Sequence, residues 1–564
     1  MFDTFIETIY LPAQEIDEMM KTLSALLLLS LALAAPVLSQ DIEVDLLQVR
    51  MGRVYFAAGT EAGLAAGGSF TVVCGNSTVA NGILEYAGPG ISYSRPLPDL
   101  DSLKVTTGCR GRIAISGVDS TAIIRLGTEL PPAMIDPEHE TLLKPDNDSL
   151  TANLADSIRI DGKSLRIFLP PNIRFAGGGQ LDAATLVWWL KDIRQNSSSS
   201  LARFFFSKLL PSDSGGIEAE GNFVVRLTFF YPFPEAAWFF SHPDFAVYDI
   251  RGRGTGPLVL LESQSNGQKS YIPNANFRGQ KPRFSKVIVA GYDQPSRMRE
   301  DFGRKLIDGY IGFGFNDGND AAGRITARFP FIAAMVPSIG ATTGSAKEFA
   351  TALYAAFDPD RAHLYFPSGV ALTANRWTAA GADSTDIGRL IPFDIARAQA
   401  LASVLPAPSS PIKIAYDDRH LMETAGFLSD IASGMSIPTA IERSTPDIRP
   451  DIRLTFVSAP DCEFPFGLVG IVMNLNDQNG ILPLDRRVEN PAWRETDLAC
   501  RSGLAIDGEN AFAQVDKKLF ADFGAFPLFR PSIEIVTDAS LKNGRFDRYG
   551  YPVLESLIKL RKTR

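Results

Sequence analysis

Cysteine and histidine are scarce in this sequence, four of each, and their spacing limits the chemistry they can do. Cys74, Cys109, Cys462 and Cys500 form two local pairs, each about 35 to 40 residues apart. In an oxidising compartment each pair closes a disulfide, whereas the alternative use of four thiols, a metal site, has no C-x-x-C spacing to support it. His139, His242, His363 and His420 are far apart in sequence, so no metal site is expected and most acid–base pairs are lost. His242-Pro243-Asp244 could be read as an imidazole–carboxylate pair, but side chains so close in sequence rarely face each other. There is no G-x-S-x-G elbow and no H-E-x-x-H, which leaves a secreted hydrolase without nucleophile or base. No catalytic residue is therefore assigned. Phosphate cradles fare no better. Gly252–Pro257 precedes a strand rather than a helix, and Gly340–Lys347 misses the P-loop register by one residue. Asn316–Asp320 lacks the alternation and closing Glu of a calcium loop. No cofactor is expected. Arg376-Trp377 suits ligand binding, since a planar guanidinium grips a carboxylate with two bonds beside an aromatic wall; the alternative is a surface Arg beside a core Trp.

The chain that must position these residues has 564 of them, enough for several domains. With 55 basic and 64 acidic side chains, a net charge of −9, it has no broad cationic surface for phosphate contacts, and nucleic acid is not expected as a partner. Met20-Lys21 opens a cationic start followed by an apolar run, Leu23 to Ser39, that ends in small residues, the pattern of a signal peptide cleaved near Ser39 or Gln40. A transmembrane anchor is the alternative, but the run is shorter than the roughly 20 residues that span a bilayer and contains Pro36. Residues 1–19 carry five acids and no base, unlike an export leader, so Met20 is the expected initiator. No cysteine follows the apolar run for lipid attachment, which points to a soluble periplasmic protein.

Residues 40–117 read as short alternating strands punctuated by glycine, with a G-x-x-F-x-V spacing similar to SH3-type barrels of bacterial envelope proteins. Adhesion or docking is the expected role of this small all-β module. From about residue 121 strands and helices alternate, which argues for α/β layers. Ile123–Leu126, Leu165–Leu169, Phe223–Phe229, Ile412–Tyr416 and Ile452–Val457 are expected strands. Helices are expected after Asp182, at 394–405 and at 422–433.

Four dispersed motifs then resemble one family, in order. Ile124–Pro137 is similar to an opening strand with its L-D-P loop. The segment from Leu154 through Phe175 to Val187 is similar to the hairpin and helix that follow. Gly254-Thr-Gly-Pro257 with Asn274–Pro282 is similar to G-T-G-P-Y…N-P-x-Y-W-x-G-K-P, and Ala521–Pro531 to a C-terminal A-E-D-A-P-x-I-P-L-Y. Together these resemble the extracellular solute-binding proteins of family 5, the dipeptide and oligopeptide receptors of ABC importers. The likeness covers about residues 121–564. It departs at Leu258, where Tyr is usual, and at Ala176–Gly179, which replaces a histidine and an aspartate.

The resemblance implies an α/β, two-lobed, periplasmic-binding-protein-like (type II) fold with a hinge, preceded here by the barrel-like module. The expected layout is a signal peptide over 1–39, the β-module over 40–117, lobe 1 over 118–322, lobe 2 over 323–524 and a return to lobe 1 over 525–564. It also implies a monomer that encloses a peptide or similar small solute and delivers it to an inner-membrane permease. In peptide-binding relatives an acid after a lobe-2 strand receives the ligand's ammonium. Asp461 matches that stretch loosely, or else caps a turn beside Cys462. A second hypothesis keeps the two-lobed scaffold without transport: an envelope scaffold or sensor that docks partners through the β-module.

Overall fold

The computed structural model describes residues 40–560 apart from short loops and the longer segments 98–108, 315–322, 378–389 and 478–507. The chain divides into two compact units, residues 1–119 with 560–564, and residues 120–559.

The first unit is a closed barrel of six antiparallel strands, Gln40–Arg50, Arg53–Phe56, Ser69–Cys74, Ser77–Gly88, Ile91–Ser94 and Arg110–Ile115. Its first strand closes the ring because it is long enough to pair twice. Gln40 to Asp45 face Ile115 to Arg110, and beyond a bulge at Leu46/Gln48 the same strand pairs with Arg53–Phe56. Alternation sends Val54, Phe56, Phe70, Val72 and Ile113 inward, where all are buried and the Phe56 and Phe70 rings meet edge to face at 5.0 Å. So small a core needs a staple, and the Cys74–Cys109 disulfide joins the end of one strand to the start of another. The expected Cys74–Cys109 bridge is present; Cys462 and Cys500 lie outside the described residues.

The second unit is organised by one strand, Phe526–Thr537. Its C-terminal half pairs with Gly309–Phe313 and Arg324–Arg328, and its N-terminal half with Phe331–Pro337 and Ala371–Thr373. The first group continues through the parallel strands Ile123–Thr128 and Lys286–Gly291 to a hairpin of Lys269–Pro273 and Leu258–Ser263. The second continues through Ile452–Ser458 to the parallel strands Ile412–Tyr416 and Thr439–Arg443. These are the two lobes, and the chain crosses between them at residues 329–330 and again near Pro531.

Lobe 1 carries a further four-stranded antiparallel sheet, Ser157–Asp161, Ser164–Phe168, Val224–Thr228 and Ile217–Ala219. The helix Ala183–Asn196 packs on it. Asp182 starts that helix by accepting the Thr185 N–H at 2.8 Å, and Leu186, Trp189, Leu190 and Ile193 recur at helical spacing on its buried face. Asp394 caps Ile395–Ser403 in the same way.

The loops that resemble family motifs are knotted together in lobe 1. Gly254 and Gly256 lie against the backbone of Pro137 and Glu138, so close that a Cβ at Gly254 would stand 1.9 Å from the Glu138 carbonyl oxygen. Asn274 donates from its side chain to the Gly256 carbonyl at 2.7 Å, and Asn276 donates to the carbonyls of Phe175 and Ala176. His139 accepts this geometry too, contacting the Asp136 carboxylate through Nδ1 and the Gly252 carbonyl through Nε2. Gly252–Pro257 is therefore a structural turn, as its place before a strand suggested.

Two stability predictions follow from these contacts. Replacing both Cys74 and Cys109 by Ser should lower barrel stability by about 4 kcal/mol on the loop-closure scale, read by protease resistance of residues 40–115 in the full chain. Gly254→Ala should cost about 3 kcal/mol, because the methyl meets backbone that has nowhere to move; unchanged chemical denaturation of residues 120–559 would disprove the close approach.

Candidate functional site

Parallel strands present their C-terminal ends to one edge, and in α/β sheets that edge is where ligands meet protein. In lobe 1 the strand Ile123–Thr128 runs out at Glu129. In lobe 2 the strand Ile412–Tyr416 runs out at Asp417, Asp418, Arg419 and His420. The two ends meet. Glu129 is buried at 6% exposure and accepts the Phe313 N–H at 2.9 Å through Oε1. Gly312 permits this approach, since a Cβ there would stand 2.5 Å from the same oxygen. The other oxygen of Glu129 faces His420 Nε2 across the lobes at 3.7 Å, the distance of an ion pair rather than of a hydrogen bond.

Asp418 holds His420 from its own lobe. One carboxylate oxygen caps the His420 N–H at 2.9 Å and meets Nδ1 at 2.7 Å. The ring also packs edge-on against Phe313 of lobe 1, 4.7 Å between centroids. Burial disfavours the imidazolium, yet the Asp418 bond and the Glu129 carboxylate outweigh it and raise the His420 pKa above the usual histidine value. Asp418 answers in the opposite direction: burial would raise its pKa, but the bonds with His420 bring it below the ordinary carboxylate range. Beside this pair Arg419 reaches lobe 1, donating to the Tyr292 carbonyl at 2.8 Å and to Asp293 at 2.9 Å.

A second contact between the lobes forms around His242. The Asp244 N–H donates to Nδ1 at 3.1 Å, so that nitrogen carries no proton, and Nε2–H donates to the Ser458 hydroxyl of lobe 2 at 2.9 Å. This is the neutral tautomer. Full burial lowers the His242 pKa in agreement with it. Around it runs an apolar seam. Phe205 is ringed by Phe206, Phe229, Phe239, Phe240 and Phe245 at 5.1 to 5.8 Å, and Phe239 meets Phe464 and Phe466 of lobe 2 at 5.1 and 5.8 Å. One hydrophobic cluster consequently runs through both lobes.

The residues singled out by sequence lie elsewhere or out of view. Asp461 and Arg376 are outside the described residues, as are Asn316–Asp320. Trp377 is fully buried in lobe 2, its backbone N–H on Asp516 and its indole N–H on the Ala525 carbonyl, each at 3.3 Å. That is the position of a core tryptophan. Trp189, on the helix after Asp182, is likewise a core residue, its indole N–H bonded to the Ala246 carbonyl. His242 meets Asp244 chiefly through the Asp244 backbone N–H; the Asp244 carboxylate accepts from Ser199 at 2.6 Å and stands 3.7 Å from Nδ1, too far for a hydrogen bond. Sequence reasoning missed Glu129, Asp418 and His420 as a group. The available signal was that Glu129 directly follows one parallel strand and Asp418 and His420 lie in the turn that follows another.

Among the described residues no helix is long and apolar enough to cross a membrane, and no group of three or more His, Cys, Asp or Glu could hold a metal ion.

Comparison with known proteins agrees with the motifs. Residues 149–308 match the family model described as bacterial extracellular solute-binding proteins, family 5 Middle. No curated protein matches the chain. Among solved structures, the murein tripeptide binding protein MppA of Escherichia coli aligns with a TM-score of 0.64 at 13% identity, covering 79% of this chain and 100% of its own. The periplasmic binding protein DppA of Helicobacter pylori, solved with the peptide STSA, gives 0.62 at 12%, covering 78% and 98%. NikZ of Campylobacter jejuni, solved with Ni(L-His), gives 0.59 at 15%, covering 78% and 99%. The fold is thus the two-lobed type II fold that the motifs implied, with a six-stranded barrel ahead of it.

A pH scan tests the Glu129–His420 contact. Between the ordinary histidine pKa and the raised folded value the native state holds a proton that the unfolded chain has released, so stability is full at lower pH and falls as pH rises. Thermal melts from pH 6 to 9 should show this decline in the wild type and a flatter limb in His420→Gln; parallel curves would refute the cross-lobe ion pair.

Proposed function

We propose that the protein is a non-catalytic solute-binding receptor of an ABC importer, working in the periplasm after removal of its signal peptide. It captures a peptide or similar small solute between its lobes and hands it to a membrane permease. The observation that carries this reading is the pair of lobes built on the single strand Phe526–Thr537, each presenting strand ends to the other. A hinge of two crossings lets such lobes separate and close as rigid bodies. Glu129, His420 and Arg419 supply contacts that exist only when the lobes are together, so they favour the closed form. For the ligand, Asp461 is proposed to accept from an ammonium and Arg376 to donate to a carboxylate, while Trp377, first read as an aromatic wall, stands in the core. Asp461 comes three residues after Ser458, which already touches lobe 1 through His242. The working unit is a monomer without cofactor, and energy comes from a separate ATPase.

The seam of Phe239, Phe464 and Phe466 favours a second reading, a scaffold or sensor that keeps its lobes shut and docks partners through the barrel. Ligand screening separates the two. At about 100 times its dissociation constant a true ligand should stabilise the protein by roughly 2.7 kcal/mol. A thermal-shift screen over di- to pentapeptides, sugars and metal chelates should find such a ligand, with Asp461→Asn abolishing the shift given by peptides. A blank screen would leave the scaffold reading in its place.

A further inference from the structure

Lobe 2 holds a groove of about 520 Å³ that lies away from the strand ends, between the helices Ala346–Ala356, Ile395–Ser403 and Gly508–Lys518. Its volume lies in the roughly 300 to 1,000 Å³ range of small-molecule sites. The floor is apolar: Leu390, Ile391, Leu401, Leu405 and Phe520. The rim is cationic, because each of the three helices contributes one base, Lys347, Arg397 and Lys517. Among the described residues none of these three has an ion-pair partner, and Glu348 is the single acid on the rim. Helical spacing explains the combination, since Arg397 and Leu401 stand one turn apart on the same face, one charged at the rim and one apolar below it. Val404, which also lines the groove, is 78% exposed, and Phe393 and Ile395 at the start of the same helix are 41% and 54% exposed.

An apolar trough ringed by three unpaired cations is complementary to a molecule with one anionic head and a hydrocarbon tail. A neutral solute would leave the cations unused, and a small anion would leave the floor uncovered. We propose that this groove binds a single-chain anionic amphiphile of the fatty-acid type, its carboxylate among Lys347, Arg397 and Lys517 and its chain along Leu401, Leu405 and Phe520. The site belongs to lobe 2 alone, so it stands or falls separately from ligand capture between the lobes.

The test uses the full chain and dodecanoate below its micellar concentration, followed by titration calorimetry. Saturable one-to-one binding is expected. Dodecanol, with the same chain and no charge, should bind at least tenfold more weakly, and acetate should not compete. Arg397→Gln and Lys517→Gln, both exposed and outside any packed contact, should each weaken binding about three- to fivefold. Leu401→Glu should abolish it while the melting temperature stays within a few degrees. Equal affinity for dodecanol, unaltered binding in the Gln variants, or binding only to anionic vesicles and never to monomeric dodecanoate would each overturn the proposal.

Discussion

The fold of residues 120–559 depends on one strand serving two lobes. Phe526–Thr537 is buried along almost its whole length and pairs on both edges in both halves, so every one of its backbone groups must find a partner inside the protein. Pro531 removes a donor where the strand changes partners, and its carbonyl is used by the Phe329 N–H at the other crossing, while Pro527 sits at the bulge in the pairing with Phe331–Pro337. The two ionisable residues of the strand are satisfied on opposite sides of the crossing. Arg530 donates to the Ala459 carbonyl of lobe 2 at 2.7 Å, and Glu534 meets Arg324 of lobe 1 at 3.2 Å. A break in this strand would separate the lobes and also uncover both cores.

Because the lobes share a strand, contacts at their rims are nearly intramolecular in their entropy and small interactions count. Arg419 with Asp293 is exposed and contributes little by itself. Glu129 with His420 is different, for both are buried, and an unpaired charge at either position would cost on the order of 3 kcal/mol. The phenylalanine seam adds a non-directional attraction over the same junction. Closure is thus favoured by burial and aligned by charge.

Local features were legible in the sequence and long-range ones were not. Asp182 and Asp394 announce helix starts because capping is settled within four residues. The strand expected at Ile412–Tyr416 has the same bounds in the structure. The glycine and asparagine motifs were recognisable because a loop packed backbone to backbone tolerates few residues, as Gly254 and Asn274 show. Those motifs report architecture, however, and the junction is made by Glu129 and His420, which are brought together only by strand order. Trp377 shows the converse limit: an aromatic beside a basic residue can be read as wall or as core, and the Ala525 carbonyl on its indole places it in the core.

The two junction histidines show how topology sets chemistry that residue type leaves open. His242 is held neutral because a backbone N–H occupies Nδ1, and a second proton there would break that bond. His420 favours the cation because carboxylates from both lobes face it. Their linkage to folding runs in opposite directions. The depressed pKa of His242 makes its contribution complete above the unfolded histidine value and lost as pH falls through the folded one. The raised pKa of His420 makes its contribution complete below the unfolded value and lost as pH rises. Their sum is greatest near the unfolded value itself, about 6.5, and declines on both sides. The junction therefore contributes two limbs of opposite sign to the pH dependence of folding, from two residues of the same kind in opposite protonation states.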